Sequence, residues 1–343
     1  MVTRKKRRIA AVPEQPSGSL ALQMPPEKAE PASMGNVLMM VVPMLGSTGV
    51  MIFMAMQNNG GGRSMLMGGG MLVAMLGMVG FNMYRQFSQY RTRVKTQRRE
   101  YLSYLAETRE SIRKVAKKQR AYYNWVYPDP DALVTLAANG SRLWSREGNT
   151  YDVLTFRYGS GTQPLGLTFE RPPIDPMTEM DVVCLSAMER FIAVHDHTDN
   201  VGKFLYLGDF SHIEVVGEGE SAYDEMRAIM MHLACFIEPS KLKIAVLCSA
   251  DRLGDWEWVK WMPQARSANV RDAIGPARMI STDPRELVEM IGPDIAMRGA
   301  YRPGEEMPEW PHLLLVCDGA EFPTSSPFGS MAGVRGVTIM SRA

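Results

Sequence analysis

One segment has the layout of a chemical site: a glycine loop between a predicted strand and a predicted helix. The sequence runs IEVVGEGESAYDEM, so the loop contains Gly217, Gly219 and Ser221. A strand, a glycine loop and a helix N-terminus form the layout of phosphate-binding turns. A working P-loop also needs a lysine after its last glycine, whereas this loop carries Glu218 and Glu220, which would repel a triphosphate. We therefore predict that no nucleotide cofactor binds at this degenerate loop.

The acid that could accompany such a loop is Asp318, which ends the apolar run HLLLVCD. This is where a Walker-B carboxylate would hold magnesium. No second acid follows it, and the loop lacks its lysine, so we predict no magnesium here. Two histidines and one acid at 195–197 fall short of a complete metal site. No Ser/His/Asp or Cys/His arrangement is apparent, and the predicted catalytic and metal residues are therefore none.

The elements around these residues form an α/β domain. Continuous apolar strands such as LKIAVLCS and HLLLVCDG alternate with helices predicted over Ser221 to Phe236 and near Pro284 to Met297. Such a pattern is typical of a mostly parallel sheet covered on both faces. We predict a P-loop-like (RecA-like) three-layer domain over 126–343, without a complete Walker A motif and incomplete at its C-terminal end. The tryptophans of DWEWVKWMP fit either a packed corner of this domain or a partner-docking patch.

Two uncharged stretches precede this domain, at 37–56 and 65–84. Each has 20 residues, which is about 30 Å of helix and the thickness of a bilayer core. We predict a two-helix transmembrane hairpin over 37–84, after a basic tail at 1–36. Lysine and arginine residues flank the pair on both outer sides, so both termini are expected in the cytoplasm and the protein in the inner membrane.

Residues 85–125 are predicted to form a basic helical stalk. Apolar or hydroxyl residues recur every seven positions, and further apolar residues interleave with them, although Arg91, Arg98 and Gln119 interrupt the seam. An exposed seam needs a cover, which a neighbouring copy, the stalk's own C-terminal half folded back or a partner subunit could supply. The basic outer face favours an acidic partner. The residues predicted to bind it are Tyr101, Leu105, Ile112, Val115, Arg113 and Lys117.

Charge is divided sharply along the chain. Residues 1–120 hold 19 Lys/Arg against 6 Asp/Glu, whereas residues 121–343 hold 19 against 31. The basic part suits anionic lipid headgroups, and the acidic part argues against nucleic acid as a partner. The four cysteines contain no CxxC pair, and most lie in apolar runs, so we expect buried thiols in a reducing compartment.

The order of the motifs resembles a known family. A PPE near the start precedes YLSYLAETRESIRKVAKKQR, YPDPDALVTLAANGSRLWSRE and DVLTFRYGSGTQPLGLTF, and DWEWVKWMP, GPARM and PHLLLVCDG follow. Over essentially all 343 residues this order is similar to EccC, the FtsK/SpoIIIE-type ATPase of type VII (ESX) secretion systems. The resemblance implies an anchoring and coupling part of a secretion motor that drives protein export.

The resemblance also implies partners and cofactors. These are membrane components like EccB, EccD and EccE, six copies of the chain, and ATP with magnesium in downstream modules of a longer ATPase. No complete P-loop occurs before Ala343, so we expect this segment not to be catalytic. The alternatives are a membrane-anchored DNA translocase of the FtsK type and a membrane scaffold without a motor. The length of the reading frame beyond Ala343 would separate the scaffold from the two motors.

Overall fold

The computed structural model describes residues 12–30, 63–140, 142–146, 151–304 and 310–342, with isolated positions between 39 and 57. Much of the predicted tail and most of the first predicted span therefore lie outside the described residues. The helices are α1 Arg63–Val126, α2 Pro130–Asn139, α3 Val182–His195, α4 Ser221–Phe236, α5 Leu253–Trp256, α6 Pro284–Ile291 and α7 Pro293–Ala296. The strands are β1 Gly18–Ala21, β2 Thr155–Pro164, β3 Leu167–Glu170, β4 His197–Tyr206, β5 His212–Val215, β6 Leu242–Cys248, β7 Arg266–Arg271, β8 Pro276–Arg278, β9 Ile280–Ser281, β10 His312–Asp318 and β11 Val337–Arg342.

The predicted stalk is helical, but its helix is longer than expected. Helix α1 runs without interruption for 64 residues, and it has no glycine or proline between 85 and its end. Pro128 and Pro130 follow at once and prevent its continuation, because proline lacks the amide that a helix interior needs. The second predicted span therefore does not form a separate helix. It is the start of α1.

The predicted membrane hairpin is wrong. Among the described residues, no helix combines the length and the apolar character that a bilayer crossing requires. The prediction rested on uncharged length alone, whereas the second stretch is only the first part of a 64-residue helix. The helix also continues directly into strongly charged residues. The predicted location as a two-span inner-membrane protein is overturned by the same finding.

The chain forms two compact units. The helical unit comprises Pro16–Lys117 and Leu165–His197, and the sheet unit comprises Met1–Gln15, Lys118–Pro164 and Thr198–Ala343. The predicted domain boundaries, at 36, 84 and 125, stay predictions.

In the helical unit, α1 and α3 share a core with the parallel pair of β1 and β3. Helix α3 begins at Asp181, whose carboxylate accepts from the amides of Val183 and Cys184, both at 3.1 Å. The same carboxylate also accepts a hydrogen bond from Nη2 of Arg98 in α1, at 2.8 Å. Arg98 was expected only to interrupt the apolar seam. It instead pairs with the acid that caps the packed helix.

The main sheet of the sheet unit has five parallel strands in the order β5-β11-β10-β6-β9. Alternate residues of the central strands face opposite sides: Leu314 and Ile244 lie in a core with α4, and Leu313 and Ala245 lie in a core with α6. The predicted parallel sheet covered on both faces is confirmed in this respect. The fold class as predicted is nevertheless wrong, because the structure supports a long helix followed by a mixed α/β domain and no membrane hairpin.

Candidate functional site

The carboxyl edge of the main sheet carries a cluster built around Asp318. This side chain ends β10 and is only 3% exposed. Its carboxylate accepts the indole N–H of Trp256 at 2.8 Å, the hydroxyl of Tyr223 at 3.3 Å and Nε of Arg252 at 3.4 Å. A buried carboxylate needs such partners, since an unpaired buried charge is very costly. The contacts that the structure gives Asp318 come from its own chain.

Arg342, at the end of β11, completes this strand-end cluster of Tyr223, Arg252, Trp256, Asp318 and Arg342. Its Nη1 donates to the hydroxyl of Tyr223 at 2.6 Å. The guanidinium carbons of Arg252 and Arg342 lie 4.1 and 5.0 Å from the centre of the Tyr223 ring. Both distances are in the range of cation–π attraction. The cluster thus joins two strand ends and α4 through hydrogen bonds, cation–π contacts and the ion pair of Arg252 with Asp318.

The degenerate loop predicted from the sequence lies beside this cluster, since Tyr223 follows Ser221 by two residues in α4. A Cβ on Gly217 would lie 2.8 Å from Oγ of Ser221 and 3.1 Å from the amide nitrogen of Ala222, so the loop passes close against the first helical turn. Gly219 has a φ of +56°, which favours glycine. The structure therefore brings the loop and Asp318 to one sheet edge. The absence of bound nucleotide or magnesium stays a prediction.

A second cluster surrounds the C-terminal end of α1, and the sequence analysis missed it. Three arginine side chains donate to the last backbone carbonyls of that helix and of the residue after it. We call this set the arginine clasp. Its bonds are Arg142 Nη2 to the carbonyl of Trp125 at 2.6 Å, Arg146 Nη2 to Val126 at 2.9 Å and Arg157 Nη1 to Tyr127 at 3.2 Å.

The clasp stabilises the C-terminal end of α1 in two ways, through hydrogen bonds and through charge. The last carbonyls of a helix have no partner inside it, and the C-terminus carries a partial negative charge. The guanidinium of Arg146 also donates to the carbonyl of Thr155, and Arg142 lies 3.8 Å from the ring of Trp125. Beside them, burial lowers the pKa of His232 well below its ordinary value, and the neighbouring arginines add to this effect. His232 is therefore neutral and packs as a ring next to Tyr127.

A sequence signal for the clasp did exist. Helix α2 ends at Gly140, which has a φ of 60°, and Arg142 and Arg146 follow it closely. Acids outnumber lysines and arginines in residues 121–343, so two arginines so close together are noticeable. The sequence does not show that the side chains of Arg142 and Arg146 point to the end of α1. The contacts depend on the backbone turn at Trp144, which has a positive φ of 54°.

The stalk residues predicted to bind a partner fall into two groups. Tyr101, Leu105 and Ile112 are buried at 6%, 4% and 4% exposure. They pack in the core of the helical unit with side chains of β3 and α3, and Val115 lies at its edge. The chain therefore covers this seam itself, with β3 and α3 rather than with a folded-back part of the stalk. Arg113 and Lys117 face solvent. Whether any of the six binds a partner stays a prediction.

The tryptophans of DWEWVKWMP separate in the structure. Trp256 is fully buried in the strand-end cluster, and Trp258 is partly buried against the same core. Trp261 is 78% exposed. The packed corner therefore describes Trp256 and Trp258, and partner docking at Trp261 stays a prediction. Among the described residues no three His, Cys, Asp or Glu side chains are grouped as metal ligands.

No protein-family model matches the chain. It does resemble curated proteins: it is 31% identical over 342 residues to "ESX secretion system protein EccC" of Thermomonospora curvata, covering 99% of the chain and 26% of that protein. "ESX-3 secretion system protein EccC3" of Mycobacterium tuberculosis is 33% identical over 249 residues, covering 72% of the chain and 18% of the relative. "ESX-5 secretion system protein EccC5" of Mycobacterium marinum is 29% identical over 328 residues, which is 92% of the chain and 23% of the relative.

The chain belongs to the EccC family. It spans about a quarter of the length of the Thermomonospora protein. The resemblance stated from the motifs is thereby confirmed.

Proposed function

We propose that this EccC segment serves ESX, or type VII, secretion as a coupling part that transmits movement through α1. The names of its relatives support the secretion role, since each is an ESX secretion system protein. The finer role is supported by the arginine clasp. Three charged donors from one unit hold the end of a 64-residue helix, and such an attachment can carry force along the helix axis.

A coupling part does not need its own nucleotide site, and the strand-end cluster fits that description. Arg252 is paired with both Asp318 and Asp255, so its charge is already used inside the unit. A nucleotide phosphate would have to displace those acids. In this proposal, ATP and magnesium act in other modules of the whole EccC protein, and the segment described here neither binds nor hydrolyses ATP.

The proposed contact with other components lies on the outer face of α1. Arg113 and Lys117 are exposed there, and Arg113 has only a weak ion pair with Glu110 at 3.9 Å. This face would dock an acidic surface of another ESX component, such as an EccD-like, EccB-like or EccE-like protein, in an assembly of about six copies. A contact between exposed charges weakens as salt rises.

The test is complementation in the native host after deletion of the gene for the whole protein. We expect Arg113→Glu with Lys117→Glu to reduce the secreted protein in culture filtrate. The variant should also co-purify less of the other components at low salt, and its difference from the original protein should shrink at high salt, where the original contact is screened as well. Purified protein of the 343-residue chain should show no heat of ATP binding in calorimetry.

Three results would contradict this proposal. The first is normal secretion by the charge-reversed variant. The second is micromolar ATP binding that vanishes in Asp318→Asn. The third is salt-dependent DNA binding by the chain, which would favour a DNA translocase.

A further inference from the structure

A stiff turn stands at the tip of the β7–β8 hairpin. Oδ1 of Asp272 accepts the amides of Ile274 and Gly275, both at 2.8 Å, and the amide of Asp272 donates to the carbonyl of Gly275 at 2.8 Å. Gly275 has a φ of +156°, which a residue with a side chain rarely adopts. These bonds lower the pKa of Asp272 and keep it anionic. The turn is therefore held by its own backbone, independently of any neighbour.

This turn presents an apolar side chain to solvent. Ile274 is 97% exposed, and Trp261 on the neighbouring 3-10 turn is 78% exposed. Both line the same hollow of about 440 Å³, together with Pro276. Single exposed apolar side chains are ordinary, but two that share one concave site form a patch. The volume is within the range of small binding pockets.

The rest of the hollow is cationic. Lys260, Arg266 and Arg278 line it, and Asp272 is the acid among the lining residues. The carboxylate of Asp272 is already engaged by the turn. Among the described residues, Arg266 and Arg278 form no ion pair, whereas Lys260 pairs with Glu257 at the surface. Arg278 lies near enough to Asp272 to help lower its pKa, and it donates weakly to the carbonyl of Pro276 at 3.4 Å. The pocket thus offers guanidinium groups without a close carboxylate partner beside exposed apolar surface.

We propose that this hairpin pocket docks an extended acidic peptide segment of a partner protein that carries one large apolar side chain. The apolar side chain would pack against Trp261 and Ile274, while its neighbouring carboxylates would pair with Arg266 and Arg278. Bidentate pairing of guanidinium with carboxylate favours such a segment. This inference does not depend on the secretion role proposed above.

The form of the pocket and the charge around it favour a peptide over other anionic partners. A bilayer surface is broad and flat, whereas this site is a hollow that fits about one bulky side chain. A nucleic acid would extend past the pocket over a part of the chain with 31 acids against 19 lysines and arginines, which repels a long polyanion. A short acidic segment avoids that cost.

The experiment uses the purified 343-residue chain and a phage-displayed library of random nonapeptides. We expect enriched peptides to combine at least two acidic residues with one large apolar residue. A fluorescein-labelled synthetic copy of an enriched peptide, followed by fluorescence polarisation, should bind at least tenfold more weakly to Trp261→Ala and to Arg266→Glu with Arg278→Glu. It should also bind more weakly when its apolar residue is replaced by serine.

Two exposed positions supply matched controls: Met331→Ala for the loss of apolar surface and Arg285→Glu for the charge reversal. Both controls should leave the affinity unchanged, and circular dichroism should show that all variants are folded. The proposal is overturned if no peptide is enriched, if the enriched peptides lack acids, or if the pocket variants bind as well as the controls. Trp261-dependent binding of vesicles of phosphatidylcholine with phosphatidylglycerol, or of single-stranded RNA, without peptide binding, would also overturn it.

Discussion

Among the three arginines of the clasp, replacement of Arg157 should lower the free energy of unfolding most. Its guanidinium is 8% exposed and donates to the carbonyl of Tyr127, the carboxylate of Asp129 and the hydroxyl of Ser160, the last two at 2.8 and 2.6 Å. Replacing it with methionine keeps most of the apolar stem and removes every one of these donors. The carbonyl of Tyr127 would then be left without this donor in a largely buried place.

The cost can be worked out from these contacts. Hydrogen bonds with a charged partner contribute about 1.5–3 kcal/mol each, but Asp129 and Ser160 can be rehydrated, so their share is smaller. We expect Arg157→Met to lower the free energy of unfolding of the sheet unit by about 3 kcal/mol. For a unit of this size, that corresponds to a fall in Tm of about 6–12 °C.

The matched control is Arg171→Met in the helical unit. Arg171 is 64% exposed and has one ion pair, with Glu189 at 3.0 Å. Surface pairs of this kind contribute about 0–1 kcal/mol, so this variant should unfold nearly as the original protein does. Differential scanning calorimetry measures both variants. If Arg157→Met unfolds within about 1 kcal/mol of the control, the clasp does not stabilise the helix end.

A local measurement distinguishes the clasp from general stability. The amides in the last turns of α1, including Tyr127, whose N–H donates to the carbonyl of Tyr123 at 2.7 Å, should exchange with deuterium faster in Arg157→Met. A loss of about 3 kcal/mol in local opening corresponds to roughly a hundredfold faster exchange. Peptides from α6 should change less. Uniform acceleration across the sheet unit would refute a local role at the helix end.

Two further predictions concern buried residues. Leu105→Asp should unfold the helical unit, because it places a carboxylate in a core and lowers the free energy of unfolding by about 4 kcal/mol or more. Limited proteolysis should then cut this unit in Leu105→Asp. The control Leu102→Asp, on the exposed side of the same helix, should stay folded and resistant. Burial lowers the pKa of His312 to about 3, so the unfolded chain takes up a proton below about pH 6.5 that the folded chain excludes. As the pH falls from 7.5 to 5, the free energy of unfolding of His312→Asn minus that of the original should rise by about 2 kcal/mol in urea unfolding. A difference that does not change with pH would contradict this prediction.

The sequence predicted the sheet unit well, because its strands are long apolar runs bounded by turns. The bounds of α4 agree with the prediction at both ends, and β10 follows HLLLVCD as expected. The helix stops were also visible, since Pro128 and Gly140 act through the backbone of a single residue. Such signals are local, and they do not depend on what packs against them.

What the sequence did not settle was which residues cover the apolar seam of α1. The seam of Tyr101, Leu105 and Ile112 was recognised, but a helical period shows only that a face is buried and not by which residues. Its cover, β3 and α3, lies more than fifty residues further along the chain. The membrane prediction failed for a related reason. An uncharged stretch shows what a segment lacks, whereas the extent of the helix that contains it depends on the residues that follow.

Residues 121–343 have a formal balance of −12, counting every charged side chain as if it faced solvent. Arg157 is buried, but Asp181 and Asp318 are buried as well. Burial therefore removes charges of both signs, and the exposed part of this range stays acidic. On such a surface the unpaired cations of the hairpin pocket are a local exception. An exposed guanidinium among many acids can pair with one of them by a small rotation, yet Arg266 and Arg278 form no ion pair among the described residues. Their isolation around an exposed tryptophan is the strongest physical reason to expect a ligand there.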